Sequence, residues 1–302
     1  MKIVSFTHGD TRMRVGALLE NGQSVLDFTS SAAAIPQPRH PLEAFDLAGP
    51  FLREARSLCK RAEDGRERER LRAAGAVLAR KDVQLLAPVP RPGKVLCIGL
   101  NYKDHAAESN SPLPERPLLF SKFPTSALAP GGTIRIPRGS ENLDYEAELG
   151  VVIGKRASHV PATRAMEHVL GYVNFNDVSA RDFQFRDGQW QRGKSCDTFA
   201  PFGEYIATTD EIPDPHKLRI RLRLNGKTMQ DSNTDQLIFR VPQLIESLSE
   251  HVTLEPGDVI ATGTPPGVGF ARKPPVWMQP GDRVEVEIDG LGVLANVVGA
   301  SD

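Results

Sequence analysis

Segments 15–19 and 24–28 read as short strands on either side of Asn21-Gly22, two residues that tolerate positive φ and so predict a hairpin turn. The pattern then changes. From about residue 41 to residue 80 the chain is rich in Leu, Ala, Arg and Glu, which predicts helix, with Gly65 as a point where it breaks in two. Between Arg61 and Arg70 the charges are mixed in sign, the mark of a solvated helix face with local ion pairs worth about 0.2–0.5 kcal/mol each. Ala87-Pro88-Val89-Pro90-Arg91-Pro92-Gly93 ends that region, because prolines at this density neither extend a helix nor donate to a central ladder. The pattern predicts a small N-terminal domain (1–86), a linker (87–93) and a main domain (94–302).

The main domain opens with a buried strand at 94–100, followed by another at 118–123 after a proline-rich loop. Within Asp144-Tyr145-Glu146-Ala147-Glu148-Leu149-Gly150-Val151-Val152-Ile153-Gly154 the tail is a continuous apolar run between glycines, which predicts a buried strand. A helix is expected over about 162–170, and then a strand through Tyr172, Val173 and Phe175 that ends on Asp177. Segment 218–224 alternates cleanly and turns at Asn225-Gly226. A helix at 241–251 and a last hairpin strand at 283–288, turning at Asp289-Gly290, complete the pattern.

Composition narrows the function classes. The chain has 302 residues, an apolar fraction of 40% and a formal net charge of -1, with no basic stripe, so nucleic acid is not an expected partner. Cys59, Cys97 and Cys196 are far apart with no CxxC pair, which argues against disulfides and structural zinc and fits a reducing compartment. The start lacks a signal-peptide core, and no apolar run approaches the roughly 20 residues that span a bilayer. A soluble cytoplasmic protein without a membrane partner is the expectation.

Candidate chemistry centres on Glu146 and Glu148. Side chains alternate along a strand, so both point the same way, and such a pair repels itself unless a proton or a cation lies between them. A divalent cation that prefers oxygen ligands would supply the charge, and Asp177 at its own strand end is a third carboxylate; the plain alternative is a solvated strand end. His105 and Glu108 share a face if Asn101 caps a short helix, which is how a carboxylate orients a general base; a surface His–Glu pair is the competing reading. Lys194 lies in a glycine-containing loop, and Lys122 on the 118–123 strand is a candidate substrate contact. Segments 109–117 and 183–191 are candidate specificity loops. The second is either a lid, with Arg186 or Arg192 meeting a substrate carboxylate, or a surface or dimer loop. Thr262-Gly263-Thr264-Pro265-Pro266-Gly267-Val268-Gly269 lacks the Lys-Ser/Thr of a nucleotide-binding loop, but it can offer backbone N–H groups to a small carboxylate.

Together these pieces resemble the fumarylacetoacetate hydrolase family, from about Lys94 onward. The resemblance is carried by Cys97-Ile98-Gly99-Leu100-Asn101-Tyr102 with His105 and Glu108, by Asp144-Tyr145-Glu146-Ala147-Glu148-Leu149, by Asn176-Asp177-Val178-Ser179-Ala180-Arg181-Asp182, by Gly193-Lys194-Ser195 and by Thr262-Gly263-Thr264-Pro265. It implies an α+β fold, mostly β, with a rolled mixed sheet and flanking helices beside a small α/β N-terminal domain, assembled as a homodimer. It also implies Glu146, Glu148 and Asp177 as ligands of one Mg²⁺ or Mn²⁺ per subunit, His105 and Glu108 as a base dyad, Lys194 as cationic stabiliser, and Gln184 and Thr264 as substrate contacts. Ile98 stands about where the fumarylacetoacetate hydrolases proper have a fourth acidic ligand, which points away from fumarylacetoacetate itself.

The expected activity is metal-dependent hydrolysis of a C–C bond in a 2-oxo or 2,4-dioxo acid, by way of a metal-held enolate. The same site would serve decarboxylation of an oxaloacetate-like acid or isomerisation of a 2-hydroxymuconate-type dienoate. A glycosidase pair is disfavoured, because its carboxyls flank a sugar from opposite sides about 5–9.5 Å apart; the 6% aromatic content also offers few stacking platforms. A non-catalytic, metal-stabilised binding protein would leave His105 and Lys194 without a role.

Overall fold

In a computed structural model describing residues 1–108 and 111–300, two mixed sheets face each other across the principal core. The protein is α+β and mostly β. Its larger sheet runs, in spatial order, Val77–Ala79, Ser24–Asp27, Arg14–Leu19, Lys2–Thr7, Ile206–Thr208, Val169–Asn176, Ala147–Ile153, Val259–Ala261, Val95–Gly99 and Leu118–Lys122, with Gln84–Leu85 also on Lys2–Thr7. All of these neighbours are antiparallel except Val259–Ala261 with Val95–Gly99. The smaller sheet contains Lys227–Asn233, Arg219–Leu224, Arg283–Ile288, Gly292–Gly299 and Thr133–Arg135.

The apolar run after Glu148 is continuous because both of its faces are covered. Leu149, Val151 and Ile153 pack into the core shared with Ile220, Leu222, Val284 and Val286 of the smaller sheet. Val152 points the other way, into a second core with Leu52, Ala55 and Leu58 of the Pro50–Ala62 helix. A strand buried on both faces has no solvent side to mark with polar residues. The Val241–Ser249 helix shows the other periodicity: Val241, Leu244, Ile245 and Leu248 are buried at the i, i+3, i+4, i+7 spacing of one helical stripe.

The 41–80 region divides more finely than its composition predicts. A short 3-10 turn at Pro41–Phe45 precedes helices Pro50–Ala62 and Gly65–Ala73, and the break falls where the Asp64 side chain accepts from the Arg66 and Glu67 N–H groups. Val77–Ala79 is a strand, because it completes the sheet edge against Ser24–Asp27. The helix expected at 162–170 stops early for a similar reason: Val169 is already in register with Ile153. The proline-rich segment at 87–93 does not separate two sheets. Lys2–Thr7 pairs with Ile206–Thr208, Ala87 and Val89 are buried in the second core, and the Ser5 hydroxyl donates to the Pro88 carbonyl at 2.7 Å. The N-terminal strands therefore extend the sheet that carries Glu148. Among the described residues, no helix is long and apolar enough to cross a membrane.

Candidate active site

Glu146 stands just before the Ala147–Ile153 strand, and Asp177 just after the Val169–Asn176 strand paired with it. The Asp177 N–H donates to the Glu146 carbonyl (2.9 Å), so ladder register brings the two ends together. One carboxylate oxygen each from Glu146, Glu148 and Asp177 then lies within 4.8 Å of the others, all three side chains being buried.

Buried cations surround this cluster. Lys194 Nζ reaches Asp177 Oδ2 (2.9 Å) and Glu146 Oε2 (3.0 Å). Lys122 Nζ holds the other Asp177 oxygen and donates to the Val178 carbonyl. Arg181 Nη2 donates to Glu146 Oε1 (2.6 Å), its Nε to Asp144 Oδ2 (2.9 Å) and its Nη1 to Gln184 Oε1 (2.8 Å). The buried carboxylates Asp144, Glu146, Glu148 and Asp177 thus outnumber the cations Arg181, Lys122 and Lys194 by one.

The imbalance falls on Glu148. Among the described residues it makes no ion pair; it accepts only the Gly263 N–H (2.8 Å). Burial first, and then the Asp177 and Glu146 charges, push its carboxyl well above the usual range. Burial would also raise Glu146, but Lys194 and Arg181 overcome it and hold that carboxyl down to about 2. Burial opposes the Lys194 charge, and Asp177 and Glu146 outweigh it, so its ammonium is held above its ordinary value. Three buried oxygen donors with an unbalanced negative charge fit a hard divalent cation such as Mg²⁺ or Mn²⁺.

A cavity of about 370 Å³ opens over the cluster, and His105, Glu146, Arg181, Gln184, Lys194 and Thr264 are among its polar walls. His105 lies on the Lys103–Glu108 helix, its Nδ1 3.2 Å from Glu108 Oε2. The rest of the wall is apolar, with Phe120, Phe185, Trp190 and Phe270 prominent. Phe120 and Trp190 meet edge to face with centroids 5.5 Å apart, and Phe185 and Phe270 tilt together at 5.2 Å. Larger hollows of about 530 and 630 Å³ open near His159 and near Met1, but among the described residues neither gathers a metal-binding cluster.

The structure brings together His105, Glu146, Lys194, Gln184 and Thr264 on one cavity, with Glu148 and Asp177 beneath Glu146. Gln184 is buried beside Arg181, and the Thr264 hydroxyl donates to the Ala147 carbonyl (3.0 Å). Two expected substrate contacts are placed differently. Lys122 is fully enclosed and does not line the cavity, because its ammonium is committed to Asp177. Arg186 is exposed and off the cavity; its neighbour Phe185 takes the wall position, and Arg192 is spent on Asp187 (2.8 Å). Phe185 and Trp190 make the 183–191 loop part of the cavity wall. In the 109–117 loop, residues 109–110 lie outside the described residues, and Ser111 lines the cavity. Asn101 does not cap the helix after it. That position falls on Tyr102, and the Asn101 amide binds Thr262 and Phe239 instead.

Arg181 and Asp144 were the functional pair that pattern reasoning passed over. Both stand inside quoted motifs, but only the fold shows that a guanidinium 35 residues along the chain closes onto Glu146. Gln230 was equally silent; its amide accepts the Ala147 N–H (2.9 Å) and donates to Thr264 Oγ1 (2.9 Å).

Residues 94–299 match the family described as fumarylacetoacetate (FAA) hydrolase C-terminal. The oxaloacetate tautomerase fahd2, mitochondrial, of Xenopus laevis is 43% identical over 302 residues, covering 99% of this chain and 90% of the relative. Among solved structures, the 2-hydroxyhepta-2,4-diene-1,7-dioate isomerase of Mycobacterium marinum is 31% identical with a TM-score of 0.76, covering 99% of this chain and 98% of that one. The fumarylacetoacetate hydrolase of psychrophilic Exiguobacterium antarcticum is 35% identical with a TM-score of 0.79, covering 99% of each.

Proposed function

The chain belongs to the fumarylacetoacetate hydrolase family, a family of enzymes, and we propose that its reaction is proton transfer within a small 2-oxo acid, the interconversion of the enol and keto forms of an oxaloacetate-class acid. The observation that carries this reading is near full-length similarity to a relative named for that reaction, joined to a cavity that sets one imidazole against a charged floor. Tautomerisation needs a base near carbon and positive charge near oxygen, and it consumes no water. The first expectation, C–C hydrolysis, gives way here to its isomerase alternative, which the tautomerase and isomerase names among relatives support better.

In this reading His105, oriented by Glu108, takes the proton from C3 of the keto acid. The electron pair of that C–H bond moves into C2–C3, and negative charge appears on the 2-oxo oxygen. Lys194 and Arg181 stabilise it, as fixed charges in a closed site do, a contribution on the order of 10²–10³ in rate. Transfer of the proton from His105 to that oxygen completes the enol and restores His105 as the base, and the reverse sequence returns the keto acid. Glu146, Glu148 and Asp177 would hold one Mg²⁺ or Mn²⁺, whose Lewis acidity would favour the same charge. Thr264 and Gln184 line the substrate space, beside the aromatic residues of its wall.

A homodimer belongs to the same proposal, supported by Leu118, Leu119 and Phe123, which lie exposed on and beside an edge strand of the larger sheet. The test of the reaction is to supply oxaloacetate, an acylpyruvate and a hydroxymuconate-type dienoate. Enol absorbance and the release of pyruvate or CO₂ are then followed. Accelerated enol–keto exchange with oxaloacetate and no release of fragments is expected. Rapid acylpyruvate cleavage with no effect on the exchange would return the chain to the hydrolases.

A further inference from the structure

The glycine-rich run 262–270 binds carboxylates, and they are the protein's own. The Gly263 N–H donates to Glu148 (2.8 Å), the Gly267 N–H to both oxygens of Glu108 (3.2 Å each), and the Gly269 and Phe270 N–H groups to Asp144 (2.7 and 3.0 Å). One loop therefore touches the metal-site carboxylate, the carboxylate behind His105 and the carboxylate behind Arg181. Its middle donor is constrained in both conformation and space. Gly267 has φ +99°, and a Cβ there would lie 2.1 Å from the Met229 carbonyl. The Gly267 carbonyl is gripped from outside: Arg272 Nε donates to it at 3.2 Å and the Tyr145 hydroxyl at 3.3 Å, while Arg272 Nη2 holds the Met229 carbonyl. Arg272 is half-buried and does not line the cavity.

The geometry points to Arg272 as a positioning residue for the reaction: by clamping the Gly267 and Met229 carbonyls it fixes the backbone on the far side of the Gly267 α-carbon from its N–H, holds that glycine in its conformation, and so sets how the N–H meets Glu108 and how Glu108 presents His105 to substrate. This rests on the proposed role of His105 as proton carrier. Removing the direct partner of a reacting residue typically alters activity about 10–100-fold, by letting the inner residue swing. Arg272 acts on that partner, Glu108, through Gly267, so the lower end of that range applies. Arg272 does not itself line the cavity, so its loss is expected in turnover more than in affinity.

The test is a double-mutant cycle on oxaloacetate enol–keto exchange, with kcat and KM measured for wild type, Arg272→Met, Arg272→Lys, Glu108→Gln, the double variant Arg272→Met/Glu108→Gln, Tyr145→Phe and His105→Asn. Arg272→Met is expected to lower kcat about tenfold with KM nearly unchanged, and Arg272→Lys to recover part of that loss. Because Arg272 acts through Glu108, the double variant should lose no more than Glu108→Gln alone. Loosened packing would instead multiply the two losses. If Arg272→Met does not fold, Tyr145→Phe removes one bond to the same carbonyl and should lower kcat in the same direction, with KM unchanged. Wild-type kcat in Arg272→Met, or in Tyr145→Phe where Arg272→Met does not fold, or multiplicative losses in the cycle, overturns the positioning role while an inactive His105→Asn leaves the proposed reaction standing. Full activity in His105→Asn overturns both.

Discussion

Replacing Glu148 by Gln keeps the side chain's shape and removes the one carboxylate of this buried cluster that makes no ion pair among the described residues. Without divalent cation, ionised Glu148 opposes folding, because burial, Asp177 and Glu146 raise its pKa in the folded state above the ordinary 4.5. A raised carboxyl pKa means that the native state binds more protons than the unfolded chain between the two values. Wild-type stability should therefore rise as pH falls from that raised value toward 4.5, and the Gln variant should lack the rise. Adding Mg²⁺ or Mn²⁺ at about 100 times its Kd stabilises the wild type by about 2.7 kcal/mol through mass action. At roughly 2.1 cal/mol/K of unfolding entropy per residue, a chain of 302 residues gains about 4 °C in Tm. The assay is thermal melting in EDTA and in excess cation between about pH 5 and 8. Glu148→Gln should melt above wild type in EDTA and gain about 1 °C or less from the cation. A Gln variant that melts below wild type in EDTA and still gains the full cation increment refutes the charge argument.

His105→Asn should lower kcat by about 10²–10⁴ while leaving the cation-dependent Tm increment intact, because the imidazole carries protons and holds no metal. Lys122→Met should act on stability first, because it takes one of the two ammonium partners from buried Asp177 and leaves Lys194 on the other oxygen. The cost should stay below the roughly 3–5 kcal/mol of a fully unpaired buried carboxylate, with urea unfolding as the measurement; an unchanged midpoint with a raised KM would restore Lys122 to the substrate contacts. Glu146, held down to about 2 against an ordinary 4.5, contributes about 3 kcal/mol that is fully present above pH 4.5 and disappears as pH falls toward 2. Glu146→Gln should flatten that acid limb in chemical denaturation at each pH.

The site was legible to the extent that its chemistry is local. Glu146 and Glu148 lie two apart where one strand begins, and His105 and Glu108 three apart on one helix, so spacing alone puts each pair on one face. Asp177 was legible because an apolar run ended on it. What spacing could not carry is pairing across the chain. Lys122 reads from the sequence as a substrate contact on the 118–123 strand, and only the docking of that strand beside residues 177–178 encloses it. Arg181 sits at the start of a four-residue helix whose significance appears when Asp144 and Glu146 close on it. The same holds for the fold. Hairpins marked by Asn21-Gly22 and Asn225-Gly226 and the apolar stripe of the Val241–Ser249 helix were readable, whereas the union of the N-terminal strands with the central sheet depends on the register of Lys2 with Ala207, which leaves no local trace.

Relatives named tautomerase, isomerase and hydrolase share this architecture, and the physics of the floor explains why they can. In the proposed reaction negative charge appears on an oxygen beside a carboxylate, and a rigid array of Lys194, Arg181 and a cation-ready triad would favour that charge. The floor therefore selects a substrate class and leaves the outcome open. Outcome depends on whether water can reach the carbon skeleton, and that is set by the walls. Here Phe120 with Trp190 and Phe185 with Phe270 line the cavity with aromatic faces, which favours the proposed proton transfer over attack by water.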